Sequence, residues 1–315
     1  MPPPKDSFIK INNATLAYTL SGPASGQLLI TLHGGRGFGT HYSDHAAYAA
    51  LAEDGYRVLS FTYRGHGSSS RTEPYTFRQI VEDVEALRVH FTAGNGAAGE
   101  GESRSIESVE KGGDNGNGSR SGKIVLIGGS FGGFLALQYA IEFPDNVSHL
   151  VLRGTAGSWH HEEEALSTLQ QRLSAGLAPS MSVSMLRDKI FGSFASDDEF
   201  RLVMHAAAPL YVERENLDAD KALERNLETV FNAEAHNALY APSEKYFDYL
   251  ADLGKITAKT LVIVGEHDWI CPPEQSRVLA EGIRGARLVV VPGANHSVHL
   301  EKKEVVLGAI REILV

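Results

Sequence analysis

The chain contains a single cysteine, Cys271, among 315 residues. One thiol closes no internal disulfide, and no Cys/His cluster has the spacing of a zinc site. Positive charge is also scarce: 29 Lys and Arg stand against 39 Asp and Glu, a formal charge of −10. That balance argues against nucleic acid or an anionic membrane as a partner. No apolar run is long enough to cross a bilayer, and the opening Met-Pro-Pro-Pro-Lys-Asp-Ser lacks the basic-then-apolar order of a signal peptide. The expected compartment is therefore cytoplasmic. The Asn-x-Ser/Thr triplets at Asn13, Asn117, Asn146 and Asn295 read as chance matches, not glycan sites.

What the chain does contain suits a sizeable core: 43% apolar and 22% charged residues. Its length fits about two average domains, or one large α/β domain with an insertion. Short apolar runs alternate with amphipathic stretches, which predicts a mostly parallel central sheet flanked by helices. The expected strands are Gln27–Leu32, Arg57–Tyr63, Lys123–Ile127, His149–Leu152, Thr260–Val264 and Arg287–Val291, after an antiparallel start in Phe8–Ile11 and Ala14–Leu20. The expected core helices are Phe77–Phe91, Phe131–Glu142, Glu274–Gly282 and Lys302–Leu314, the last with Val305, Val306, Ala309, Ile310 and Ile313 at helical spacing.

Two stretches break the rhythm. Residues 93–122 are rich in Gly, Ser, Glu and Asn, and read as a flexible surface insertion. Residues 156–255 show amphipathic helical patterns in Glu162–Leu177, Asp197–Ala207 and Asp218–Phe231 and no strand alternation. The expected organisation is a core of 1–155 and 256–315 with a helical cap of 156–255 inserted into it.

The sharpest motif is Gly128-Gly129-Ser130-Phe131-Gly132, which follows an apolar strand and opens a helix. This is a G-x-S-x-G nucleophile elbow in its strand–turn–helix context. A Cβ at 128 or 132 would collide with neighbouring backbone, and the helix after Ser130 sets its positive end beneath the reacting centre. Serine needs a base, and the base needs an orienting acid. With this elbow the partners follow in the order acid, then histidine, each after a late strand. Asp268 follows Leu261–Gly265, and His296 follows Arg287–Val291. Glu266 competes as the acid, and His267 and His299 as the base. The shorter side chain of Asp268 favours it, as does the flexible Gly293-Ala294-Asn295 turn before His296. The early strand runs into His33-Gly34-Gly35-Arg36-Gly37, so the backbone N–H groups of Gly35 and Phe131 are the expected oxyanion donors. His33 reads as a brace of that loop. Cys271 reads as a packing residue, and no cofactor or metal is called for.

These residues resemble an α/β-hydrolase, specifically the proline iminopeptidase (prolyl aminopeptidase) branch. That family's HGGPG is similar to His33-Gly34-Gly35-Arg36-Gly37, its DQRGxGxS to Thr62–Ser69, its GGSWG to Gly128–Gly132, its LVLRG to Leu150–Gly154, and its cap E-x-H to Glu234-Ala235-His236. The resemblance implies an α/β-hydrolase fold and release of an N-terminal residue from a short-peptide or other small-molecule substrate. It also implies that Arg153 and Glu234 help hold the substrate's α-amino group, in a pocket that Gly34 and Arg36 would border. Arg36 replaces a proline, Thr62-Tyr63 an Asp-Gln pair, and Phe131 a tryptophan; these departures surround the pocket and spare the triad. Two other classes stay open. One is an esterase, lactonase or C–C bond hydrolase acting on a small carbonyl substrate. The other is a non-hydrolytic ligand receptor on the same fold.

Overall fold

The computed structural model describes residues 6–93, 122–176 and 181–315. Its eight-stranded sheet runs in the order β1-β2-β4-β3-β5-β6-β7-β8. Strands β1 (Ser7–Ile11) and β2 (Ala14–Ser21) form a hairpin whose two turn residues, Asn12 and Asn13, both have positive φ (46° and 66°). Asparagine tolerates that left-handed geometry, which matches the twist of the two strands. Strand β2 pairs antiparallel with β4 (Arg57–Phe61). From β4 onward all pairing is parallel, through β3 (Leu28–Leu32), β5 (Ile124–Gly129), β6 (Val147–Arg153), β7 (Lys259–Gly265) and β8 (Arg287–Val291). The continuous apolar runs of β3 and β5 are explained by burial on both faces.

Alternate strand residues feed two apolar layers. Leu28, Ile30, Leu32, Leu126 and Leu152 join α2 (Phe77–Thr92), α3 (Phe131–Glu142) and α10 (Pro273–Gly282) on one face. Leu29, Val125, Val151 and Ile263 join α1 (Tyr42–Tyr48) and α12 (Lys303–Leu314) on the other. Helix α1 has no counterpart among the sequence expectations, because Ala-rich Tyr42–Ala52 shows little apolar periodicity. In α12 the stripe is shifted: Val306, Leu307, Ala309, Ile310 and Ile313 are buried while Val305 points to solvent.

Between β6 and β7 the described residues hold α4 (His161–Ser174), α5 (Val183–Met185), α6 (Asp197–Ala207), α7 (Ala219–Glu228), α8 (Ala233–Leu239) and α9 (Pro242–Lys245). Helices α4, α6 and α8 share a separate apolar cluster, including Leu169, Phe191, Phe200, Val203 and Phe231, into which Trp269 of the loop after β7 is inserted. Helix α7 buries none of its residues; Leu223 and Leu227 are exposed. Of the expected insertion at 93–122, residues 94–121 lie outside the described set, as does Leu177 at the end of the first expected amphipathic stretch.

The chain steps from β3 outward to β4 and then returns to β5 on the other side of β3. A crevice opens at the carboxyl ends of the strands where such a reversal occurs. The turns after β3 and β5 therefore meet there.

Several buried histidines set how the fold responds to acid. The His66 ring donates from Nδ1 to the Arg64 carbonyl (2.9 Å) and accepts at Nε2 from the Gly37 N–H (2.8 Å), so a second proton would break a bond. Burial pushes His41, His66 and His161 down to about 4. The unfolded chain therefore binds more protons than the folded one between pH 6.5 and about 4, and stability is lost as pH falls through that window. Asp44, Asp83 and Glu162 act oppositely: burial raises all three, Asp44 to about 6, which favours the folded state as pH falls toward 4. A shift of one pH unit is worth about 1.4 kcal/mol, and the histidines lowered by burial, which also include His33, His236 and His299, outnumber the raised carboxylates. Circular dichroism should show cooperative acid unfolding between pH 6.5 and 4. A melting temperature that stays level down to pH 4 would contradict this account.

Candidate active site

Ser130 sits between β5 and α3 with φ 53° and ψ −123°, a strained conformation for a residue with a side chain. Its N–H donates to the Arg153 carbonyl of β6 (2.9 Å), and its own carbonyl accepts from Gly133 N–H and the Thr155 hydroxyl (both 2.8 Å). The turn is thus over-determined by hydrogen bonds. A Cβ at Gly132 would overlap the Leu32 carbonyl of β3, and one at Gly128 would overlap the Gly132 carbonyl. The elbow needs both glycines because strand and helix backbones touch there.

Asp268 and His296 come from the loops after β7 and β8. Asp268 Oδ2 accepts from His296 Nδ1 at 2.8 Å, and Oδ1 accepts the backbone N–H groups of Ile270 (3.1 Å) and Cys271 (2.9 Å). The carboxylate is 1% exposed, so its position is set by three donors and not by water. With Nδ1 donating, Nε2 of His296 is left to accept a proton. Ser130, Phe131 and His296 line one cavity of about 260 Å³, together with Gly34, Gly35, Arg36 and Arg153. Asp268 lies behind His296, outside that lining.

Of the competing residues, Glu266 and His267 fall outside that cavity, while His299 is part of its lining. Glu266 accepts from the Gly293 N–H at 3.0 Å, on an exposed edge. His267 is 45% exposed and faces Glu213 and Glu266. His299 is buried against the Tyr48 ring and faces Asp44 at 3.9 Å. His33 stacks on Tyr63 (centroids 4.0 Å apart) and bonds the Gly34 carbonyl at 2.8 Å, fixing the loop as a brace does.

In the turn after β3, a Cβ on Gly34 would stand 3.1 Å from the Ser130 Cβ, so this backbone runs directly beside Ser130. Phe131 opens α3, where a first-turn N–H has no intrahelical acceptor. Arg153 fills the space that a side chain at Gly129 would take and faces Asp44 Oδ1 of α1 at 3.6 Å. Its ion pair therefore lies within the sheet-flanking layers, not with the helices between β6 and β7. Glu234, which the resemblance sets beside the substrate's amino group, lies apart from the cavity residues. It is exposed on α8 and absent from the cavity lining, because α8 turns Ala235 and His236 inward and its neighbour Glu234 outward.

The sequence reading missed much of the cavity: His161 at the start of α4, Tyr211 and Tyr240; His236 on α8, named there only as part of the E-x-H motif, lines it too. Nothing in their local pattern marks them, since each comes from an amphipathic or irregular stretch. Also missed was the buried polar group of Asp44, Tyr48, Arg153 and His299, in which both Asp44 oxygens, the Tyr48 hydroxyl and Arg153 Nε have no hydrogen-bond partner. Among the described residues no cluster of three or more His, Cys, Asp or Glu could hold a metal. Cys271 is buried beside Asp268, and burial pushes its thiol well up.

An open sheet with a strained serine at its carboxyl edge and a histidine–carboxylate pair beside it defines a class. The profile of the alpha/beta hydrolase family matches residues 29–309. The proline iminopeptidase PfmaB of Pestalotiopsis fici is 53% identical over 307 residues, covering 98% of each chain. The chain belongs to the alpha/beta hydrolase family, and its likeness to a proline iminopeptidase runs over nearly its full length. A proline iminopeptidase of Saccharolobus solfataricus is 25% identical over 92% of this chain and 85% of its own. Among solved structures, the meta-cleavage product hydrolase CumD of Pseudomonas fluorescens superposes with a TM-score of 0.68 at 20% identity, covering 97% of each chain. The esterase EaEST of Exiguobacterium antarcticum superposes with a TM-score of 0.67 at 19% identity, covering 99% of this chain and 100% of its own. At that identity the two structures speak for the fold alone. No described helix is long and apolar enough to cross a membrane.

Proposed function

We propose that this chain is a serine hydrolase that releases an N-terminal residue from short peptides by acyl transfer, in the manner its 53% identical relative's name describes. The observation that carries the chemistry is the 2.8 Å bond from His296 to the buried Asp268, set in the same crevice as the strained Ser130. In this mechanism His296 Nε2 takes the Ser130 hydroxyl proton as Oγ attacks the scissile carbonyl. Asp268 holds the imidazole tautomer and stabilises the imidazolium. The backbone N–H groups of Gly35 and Phe131 receive the tetrahedral oxyanion, each worth about 3 kcal/mol of barrier. The imidazolium returns its proton to the leaving amine, and His296 then activates water to cleave the acyl-enzyme. The helical segment 156–255 acts as a cap on a core of 1–155 and 256–315, and its contribution to the cavity wall sets which substrates fit.

A second reading is favoured by the cavity's charge. Arg36, Arg153 and Arg225 contribute to its lining and no carboxylate does, while Glu234 stands outside. That suits an ester, lactone or C–C substrate better than a free ammonium.

A panel of Pro-, Ala- and Leu-arylamides beside short esters and lactones separates the two. The first reading expects arylamide cleavage that N-acylation of the substrate abolishes. Turnover confined to esters, lactones or carbon–carbon bonds would retire the aminopeptidase reading and leave the second standing. A fluorophosphonate that labels a residue other than Ser130 would remove both.

A further inference from the structure

One buried cation in the cavity wall forms no ion pair among the described residues. Arg36 follows the two glycines of the turn after β3 and is 4% exposed. Its guanidinium carbon lies 4.0 Å from the centre of the Tyr240 ring, and Phe77, Phe131, Phe134 and Phe247 stand around it at 5.2, 5.5, 5.4 and 5.9 Å. Nη1 donates to the Leu239 carbonyl at 3.1 Å, while Nη2 is buried with no hydrogen-bond partner among the described residues. The buried carboxylates of this region pair with other cations: Asp44 faces Arg153 at 3.6 Å, and Glu162 faces Lys245 at 3.2 Å; Arg36 favours the charged form of Glu162 from farther off but forms no ion pair with it.

Ring faces offset part of a buried positive charge, but an unpaired guanidinium away from water still lacks the anion that would compensate its desolvation. A structural arginine would be expected to spend its donors on the protein. This one keeps Nη2 free in the wall of the cavity that holds Ser130. The residue type matters as well. Only a planar fork can stack on Tyr240, anchor one nitrogen on a carbonyl and present the other, which a lysine ammonium cannot do.

We propose that Arg36 binds a carboxylate carried by the substrate, with Nη2 as the donor and the five rings as a dry collar. The proposal rests on the reading that this cavity is the reaction site, and it names the substrate class: acyl compounds bearing an acidic group. Two sources share that chemistry. One is the α-carboxylate of the residue released from a dipeptide, and the other is a carboxylate on the acyl group itself.

The experiment has a catalytic part and a binding part. In the first, kcat/KM is measured for prolylalanine against prolylalanine amide, and for 4-nitrophenyl hemiglutarate against 4-nitrophenyl valerate, with the unaltered enzyme, Arg36→Gln and Arg36→Lys. The acidic partner should be preferred in at least one pair, and Arg36→Gln should cut that preference by about 10–100-fold, the scale of a hydrogen bond to a charged group. The pair that responds identifies the source of the carboxylate. In the second part, calorimetry compares glutarate with glutaramide on Ser130→Ala protein, where glutarate should bind at least about tenfold tighter and lose that margin when Arg36→Gln is added. Selective glutarate binding without turnover of any substrate would keep the Arg36 assignment and overturn the serine hydrolase reading. Equal handling of acid and neutral partners by the unaltered enzyme, in both parts, would overturn the Arg36 assignment. So would an Arg36→Gln loss that is equal for both.

Discussion

Replacing Ser130 with alanine is expected to lower turnover by at least ~10³-fold and to leave the thermal unfolding transition close to that of the unaltered chain. Among the described residues the side chain of Ser130 makes no hydrogen bond that holds the fold; the turn is held by its main chain, through Arg153, Gly133 and Thr155. Alanine carries the same Cβ into φ 53°, so the backbone strain is unchanged. Turnover of the best substrate, a fluorophosphonate labelling assay and a circular dichroism melt test the three parts together. A Ser130→Ala enzyme that turns over at the unaltered rate would end the nucleophile assignment. Loss of activity with a collapsed melting temperature would mean that the serine holds the turn after all.

Asp268→Asn should cost about 10⁴-fold in kcat with little change in substrate affinity. The reason lies in the donors around the carboxylate. Ile270 and Cys271 N–H groups both point at Oδ1, and His296 Nδ1 points at Oδ2. An amide has one oxygen, and the two backbone donors claim it. The NH₂ then faces His296 Nδ1, which must become an acceptor, and the ring's proton moves to Nε2. A ring protonated there cannot take the serine proton. Steady-state kinetics and a crystal structure of the variant check this chain of events. A rate within tenfold of the unaltered enzyme would show that Asp268 does not set the tautomer, and Glu266, which bonds Gly293 N–H instead, would need to be reconsidered.

The legible parts of the fold were those written in consecutive residues. Arg287–Val291 and Phe131–Glu142 coincide with β8 and α3, because an apolar run between breakers and a helix opened by an elbow are local signals. The other central strands shift only at their ends by one or two residues. Helix α1 was not legible: its seven residues contain only two that bury an apolar side chain, Ala47 and Tyr48, which is too little periodicity to stand out. Within the site, Ser130, Asp268 and His296 could be picked out because each follows a strand at the sheet's carboxyl edge, and strand order alone brings those ends together. Glu234 could not be judged that way. Whether a helical residue faces a cavity or solvent depends on how the helix is rolled against its neighbours, and α8 is rolled by the packing of His236 against Phe194, Phe200 and Tyr240.

By itself the sequence determined the order of strands and helices, the strained serine turn and the succession of serine, acid and histidine, since all of these rest on contacts between near neighbours in the chain. Only the tertiary structure decided what surrounds them: that Arg153 pairs with Asp44, that Glu234 leaves the cavity, and that Arg36 ends among rings drawn from positions 77 to 247 with one nitrogen unclaimed. Burial, charge compensation and the facing of helices are sums over residues far apart in the chain, and no short stretch carries them.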